Sequence, residues 1–298
     1  MLNRVTIIGV GLLGGSLARD LRAYNLVQEI VGVCRSKSTA DQALKEGVVD
    51  VVLPLESAIE NADIIVLATP MQAMVPIAQS LEGKISDQTI LTDVGSVKTD
   101  LYAQLNQACP ALLKQFVLAH PIAGGHESGV QASKLDLFKN KCVVITDTAE
   151  VNTSATATVH EMWTRIGAQV TNMSLREHDE TFAKTSHLPH LIAFSLVNYL
   201  WQQSDNERLF DLAAAGFYDF TRIASSDAEM WRDICITNRE EIVTALDGFK
   251  SQIEGITSQV ADADQDAILN YFGEAKKARD AGLLKKAEAL KEQEREQD

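Results

Sequence analysis

Val5-Thr6-Ile7-Ile8-Gly9-Val10-Gly11-Leu12-Leu13-Gly14-Gly15-Ser16 carries the reading of the fold. Its first four residues are mostly apolar and β-branched, which suits a buried strand. Glycines follow at 9, 11 and 14. Ser16-Leu17-Ala18-Arg19-Asp20-Leu21-Arg22 then reads as a helix. Strand, glycine turn and helix in that order is the context a dinucleotide-binding turn requires. Gly9 permits the sharp turn, Gly11 lets a pyrophosphate approach the backbone, and Gly14 lets helix and strand pack closely. The pyrophosphate would rest on the free N–H groups around Leu12 and Leu13, where the helix dipole favours an anion.

Working outward, Ile30 to Val33 reads as a second strand and ends at Cys34-Arg35-Ser36-Lys37. An NAD site is expected to place an Asp or Glu near this point for the ribose 2′-hydroxyl. Here the acid is missing and a guanidinium, a hydroxyl and an ammonium follow, a set that suits a 2′-phosphate. Arg35, Ser36 and Lys37 therefore point to NADP, with NAD the weaker alternative; a solvated basic loop is the plainer reading. A helix is expected over Ala40 to Glu46 and a short strand over Val48 to Val52. Ala62 to Ala68 reads as a buried strand stopped by Pro70, so Thr69 and Pro70 fall at its carboxyl end, where open α/β sheets bind ligands.

Gln88 to Asp93 is the next strand. Ser96 follows it, either as the N-cap of a helix or as a crevice residue. Phe116 to His120 reads as one strand whose tip carries His120. Pro121 restricts that residue to an extended conformation. An imidazole at a strand tip can accept a proton from a substrate hydroxyl at neutral pH. Further strands are expected over Lys141 to Thr146 and Gln169 to Met173, with a helix over Val159 to Ile166 between them.

From Arg176 the pattern is helical. His178, in Glu177-His178-Asp179, reads as a solvated helix start. His187 and His190 lie three apart around Pro189 and share a face only if the helix kinks there. A metal site is rejected because no third ligand is apparent. Arg222 either pairs with an acid or clamps an anion. Met230 to Leu246 and Ile253 to Val260 read as two amphipathic helices, and Glu274 to Asp298 as a solvated helix or a frayed tail.

The 298 residues allow two domains, and 46% hydrophobic with 23% charged residues is ordinary for a globular chain. A net charge of −14 argues against nucleic-acid or anionic-membrane binding. Cys34, Cys109, Cys142 and Cys235 are widely spaced and form no disulfide framework, which suggests a reducing, cytoplasmic setting.

Four segments together make a specific match: Gly9 to Ser16, Thr92-Asp93-Val94-Gly95-Ser96-Val97-Lys98, His120-Pro121-Ile122-Ala123-Gly124, and Ser186-His187-Leu188-Pro189-His190. In this order and spacing the chain resembles the prephenate/arogenate dehydrogenases of tyrosine biosynthesis, to about residue 250. The resemblance implies an α/β fold, with an N-terminal Rossmann dinucleotide-binding domain over residues 1–174. An all-α dimerisation and substrate domain over 175–298 would follow. It implies NADP-dependent oxidative decarboxylation of prephenate, arogenate or both by a homodimer. His120 would take the proton of the C4 hydroxyl, and Ser96 would bond that hydroxyl or orient His120. His187, Arg222, Gly124 and His126 would meet the substrate. Gly125-His126-Glu127 departs from the small or hydroxylated residue followed by an acid that the family usually carries. Two other readings stand beside this one: a dehydrogenase of β-hydroxyacid or imine type, and a non-catalytic NADP(H) sensor.

Overall fold

A computed structural model describes residues 1–125 and 127–296. The chain runs β1 (Leu2–Ile8), α1 (Leu12–Ala23), β2 (Val27–Val33), α2 (Lys37–Lys45), β3 (Val51–Val52), α3 (Leu55–Ala58), β4 (Ile64–Leu67), α4 (Met71–Leu81), β5 (Ile90–Asp93), α5 (Thr99–Ala108), β6 (Phe116–Val117) and β7 (Ala119–Pro121). It continues through β8 (Cys142–Asp147), α6 (Thr153–Arg165), β9 (Gln169–Ser174), α7 (Leu175–Phe182), a π-helical turn (Ala183–His187) and α8 (Leu188–Trp201). Five further helices follow: α9 (Asn206–Asp211), α10 (Ala215–Thr221), α11 (Ala228–Thr237), α12 (Arg239–Ala261) and α13 (Gln265–Glu296). Contacts divide the chain into two compact units, Met1–Ile242 and Val243–Asp298.

Six strands form a parallel sheet in the order β3-β2-β1-β4-β5-β6, the doubly wound arrangement of a Rossmann domain. Alternation along β4 shows how it is covered. Ile64 and Val66 join the core that contains Leu17, Leu21, Val159 and Trp163. Ile65 and Leu67 join the core that contains Met74, Ala78, Leu101 and Leu105. Successive side chains of a strand point to opposite faces, so a continuous apolar run belongs to a strand buried on both sides. Removing each such side chain from water contributes about 1.5–3 kcal/mol.

The single strand expected over Phe116 to His120 is two strands. Phe116 and Val117 pair with Leu91 and Thr92. The Asp93 carboxylate then accepts the Ala119 N–H at 3.1 Å, and Leu118 C=O accepts from Thr146 N–H. The chain turns away at Leu118 and β7 pairs antiparallel with β8, His120 opposite Val144. β8 pairs parallel with β9 in this second, three-stranded sheet. His120 thus stands on the small sheet beside the carboxyl ends of the large one.

Several boundaries also differ from the sequence reading. β3 is only Val51–Val52, and α2 starts at Lys37 because the Ser36 hydroxyl caps it by accepting from Thr39 N–H. The helix expected over Met230 to Leu246 breaks at Asn238, and α12 runs unbroken through Ile253 to Val260. No helix among the described residues is long and apolar enough to cross a membrane.

Candidate active site

The glycine turn is built for close approach. Gly9 has φ +97°, and a Cβ there would lie 2.5 Å from the Ala68 carbonyl oxygen. A Cβ on Gly14 would lie 2.3 Å from the Gly9 carbonyl oxygen and 2.9 Å from Ile7. A Cβ on Gly11 would meet nothing within 4 Å. Gly9 and Gly14 are held by the protein itself, while Gly11 faces open space. Gly11 precedes α1 with no side-chain cap, so the helix's first N–H groups, at Leu12 and Leu13, keep their capacity for an anion. The Thr69 hydroxyl, at the tip of β4 beside Gly9, is buried and unpartnered. These features fit a dinucleotide, whose phosphates can take the helix N-terminus and whose polar groups can satisfy Thr69.

The loop after His120 comes to the same place. A Cβ on Gly125 would lie 3.7 Å from Leu12 Cδ2, so the loop at Gly125 borders the start of α1, while a Cβ on Gly124 would meet nothing within 4 Å. The rest of the loop is tied along α1. Lys134 N–H donates to Ser16 Oγ (2.9 Å) and Asp136 N–H to Asp20 Oδ1 (2.7 Å). His126 lies outside the described residues. At the other edge, Arg35, Ser36 and Lys37 are exposed where β2 runs into α2.

His120 is the centre of a buried cluster. Its Nδ1 lies 2.8 Å from His178 Nε2, and His178 Nδ1 lies 2.7 Å from Asp179 Oδ1. Asp179 also accepts the main-chain N–H of Lys98 (3.0 Å) and Thr99 (2.8 Å). The Phe182 ring sits 5.0 Å from His120 and 4.7 Å from His178. His178 is fully buried, which overturns its reading as a solvated helix start. Glu177 and Asp179 flank it with charge, but α7 turns residues 178, 179 and 182 inward together, at helical spacing. The N-cap reading of Ser96 fails for a related reason. α5 begins at Thr99, and the distant Asp179 carboxylate binds its first N–H groups. Ser96 is left half-buried in the segment after β5.

Beneath this cluster Lys98 Nζ donates to Asp93 Oδ2 (2.5 Å), both side chains being inaccessible to water. Asp93 also accepts from Gly95 and Ala119 N–H, one residue from His120.

His187 and His190 flank Trp231. His190 stacks on its ring at 3.9 Å, and His187 meets its edge at 6.0 Å. No proline kink is required, because the π-helical turn ends at His187 and Pro189 falls in the first turn of α8, which tolerates it. Asn238 donates to the Asp179 carbonyl (3.0 Å) and lies 3.1 Å from His187 Nδ1. Sequence reasoning missed Asn238, since a lone Asn inside an apparent helix carries no signal. Arg222 is exposed, and its charge lowers the pKa of His190, after burial and against the hydrogen bond to Ser186. Among the described residues no ion pair joins Arg222 to a carboxylate.

Burial depresses all of these imidazoles. His120 is pushed well below the usual histidine value by desolvation, then by His178, Lys98 and His187. His187 is pushed to about 4, chiefly by burial. His178 is lowered by burial against the pull of Asp179. His120 therefore keeps its lone pair through neutral pH. Two outcomes are expected. The acid limb of kcat/KM lies below pH 6.5; a limb above it would contradict a depressed His120. Stability is complete above pH 6.5 and is lost as pH falls toward 4, because the unfolded chain then binds protons that the folded one refuses. His187 alone accounts for about 3 kcal/mol of that loss, readable as a falling denaturation midpoint.

Comparisons with known proteins agree along most of the chain. The nucleotide-binding domain of prephenate dehydrogenase matches residues 17–172, and the dimerization domain of prephenate dehydrogenase matches 174–274. The prephenate dehydrogenase of Bacillus subtilis is 34% identical over 97% of this chain and 79% of its own. The cyclohexadienyl dehydrogenase of Zymomonas mobilis is 31% identical over 92% of this chain and 94% of its own. Among solved structures, prephenate dehydrogenase from Aquifex aeolicus in complex with hydroxyphenyl propionate and NAD+ superposes with a TM-score of 0.88. It is 34% identical and covers 94% of this chain and 98% of that one. The glycine turn, the buried His120 cluster and these matches make the chain a member of the prephenate dehydrogenase family of NAD(P)-dependent oxidoreductases.

Proposed function

We propose that the protein oxidatively decarboxylates a cyclohexadienyl substrate, prephenate, arogenate or both, with NADP as cofactor. The observation that carries this reading is His120, whose Nδ1 is engaged by His178 while the loop after it borders the nucleotide turn. His120 Nε2 accepts the proton of the C4 hydroxyl as C4 becomes a carbonyl carbon. Ser96 bonds the same hydroxyl or orients His120. The turn at Gly9, Gly11 and Gly14 would hold the dinucleotide, which would supply the acceptor for the hydride from C4. The ring carboxylate leaves as carbon dioxide, its bonding electrons complete the aromatic ring, and the oxygen at C4 takes the proton back from His120 to end as a phenol. Aromatisation drives the reaction, so the chain's task is mainly alignment. His187 and Arg222, with the loop at Gly124 and His126, meet the substrate's anionic groups.

In this reading residues 1–174 hold the nucleotide and 175–298 hold substrate and a second copy of the chain, in the cytoplasm. Exposed Tyr199, Trp201 and Leu212, and separately Ile253, Leu269 and Phe272, support a homodimer. The test is NADPH formation at 340 nm with prephenate and arogenate in parallel. Turnover of either supports the reading. Turnover of neither, with NADP+ still bound, overturns it in favour of a β-hydroxyacid or imine dehydrogenase or a sensor.

Two substitutions test the binding assignments. Arg35→Ala should raise KM for NADP+ about 10-fold, the loss of one charge-assisted contact to the 2′-phosphate, and leave KM for NAD+ unchanged. A higher kcat/KM with NAD+ than with NADP+ in the wild type would remove the NADP assignment. Arg222→Ala should raise KM for substrate by on the order of 10–100-fold and barely change KM for cofactor; equal effects on both would sink its role as an anion clamp.

A further inference from the structure

We propose that residue 179 sets the two site histidines in opposite tautomers through two positioning side chains. Its carboxylate acts through His178 to leave His120 Nε2 as a lone pair. Its main-chain carbonyl acts through Asn238 to leave His187 Nε2 as an N–H donor. This rests on the proposed function for its chemical use, but the geometry stands by itself.

The first arm follows from donors and acceptors. The Asp179 carboxylate is accepting from Lys98 and Thr99 N–H and has only lone pairs to offer, so His178 Nδ1 must carry its hydrogen toward Oδ1. A neutral His178 then has a lone pair on Nε2. His120 Nδ1, 2.8 Å away, must donate to it, because two lone pairs or two hydrogens at that distance would repel. His120 Nε2 is thereby left bare, which is the form a general base requires.

The second arm runs the other way. The Asp179 carbonyl can only accept, so the amide nitrogen of Asn238 faces it at 3.0 Å. The second hydrogen of the same nitrogen points to His187 Nδ1 at 3.1 Å, which must be a lone pair. His187, neutral at pH 7, then carries its hydrogen on Nε2. It can donate to a carboxylate or carbonyl oxygen of the substrate and offers no acceptor to an ammonium. His178 and Asn238 are both buried, so water does not compete for these bonds.

Tautomers are read directly from two-bond proton–nitrogen correlations of the full-length, histidine-labelled protein, and six histidines make assignment by substitution practical. His120 is expected to be protonated on Nδ1 and His187 on Nε2. His120 protonated on Nε2, or His187 on Nδ1, overturns the proposal. His178→Leu should shift His120 toward its Nε2-protonated form and lower kcat on the order of 100-fold, with cofactor Kd unchanged. His178→Gln, whose amide can accept from His120 and donate to Asp179, should restore much of kcat and the Nδ1-protonated form. Loss of activity in both variants with the His120 tautomer unchanged would reduce His178 to packing and overturn the first arm. Asn238→Leu should mix the His187 tautomers and raise substrate KM about 10-fold while kcat stays within a few-fold; an unchanged tautomer overturns the second arm. None of the spectra needs turnover. The expected tautomers in a protein that oxidises neither prephenate nor arogenate would support the relay while overturning the proposed function.

Discussion

His120→Asn is expected to lower kcat for the cyclohexadienyl substrate by about 10³-fold or more, with NADP+ affinity unchanged. Asn keeps a polar group of similar reach in the buried position but cannot accept a full proton. The cofactor side is expected to be untouched, because the glycine turn, Thr69 and the Arg35 loop belong to β1, β4 and β2, whereas His120 belongs to the second sheet. Steady-state assays beside a cofactor titration separate the two. A variant that retained a tenth of wild-type kcat would remove His120 as the base. A variant that lost NADP+ binding as well would show instead that the position holds the nucleotide domain together.

Lys98→Met is expected to cost about 3–5 kcal/mol of stability, the range for removing one partner of a buried ion pair, and to lower Tm on the order of 10 °C. Lys98 and Asp93 share a site without water, and burial already presses the Lys98 pKa below its ordinary value against the attraction of Asp93 and Asp179. Without the ammonium, the Asp93 carboxylate keeps the Gly95 and Ala119 N–H groups, the remaining donors to it among the described residues, to offset its desolvation. Asp93→Asn combined with Lys98→Met removes both charges and should lose much less than the sum of the single changes. Equal, additive losses in thermal melts would mean that the two groups do not act as a pair. Lys98→Met should also impair turnover, because Asp93 holds the main chain one residue before His120.

Local patterns in the sequence determined a good deal. The strand, glycine turn and helix at 5–22 and the apolar runs of β4 and β5 each express an interaction among near neighbours: pleat alternation, the steric need for glycine, a helix end without a side-chain cap. His120 was legible because Pro121 restricts it and a strand delivers it. Leu118 was not legible as a break. What diverts the chain there is the Asp93 side chain, bonded to a residue 26 positions away, and the pairing of β7 with β8. His178 and Asn238 were hidden more deeply. His178 lies between two acids, as a solvent-exposed residue would, and only the packing of α7 brings it to His120, 58 residues earlier. Asn238 lies 59 residues from the carbonyl it binds. Tertiary structure alone decided these partners, because the sign of a hydrogen bond and the burial of an imidazole depend on groups that meet only when distant elements pack.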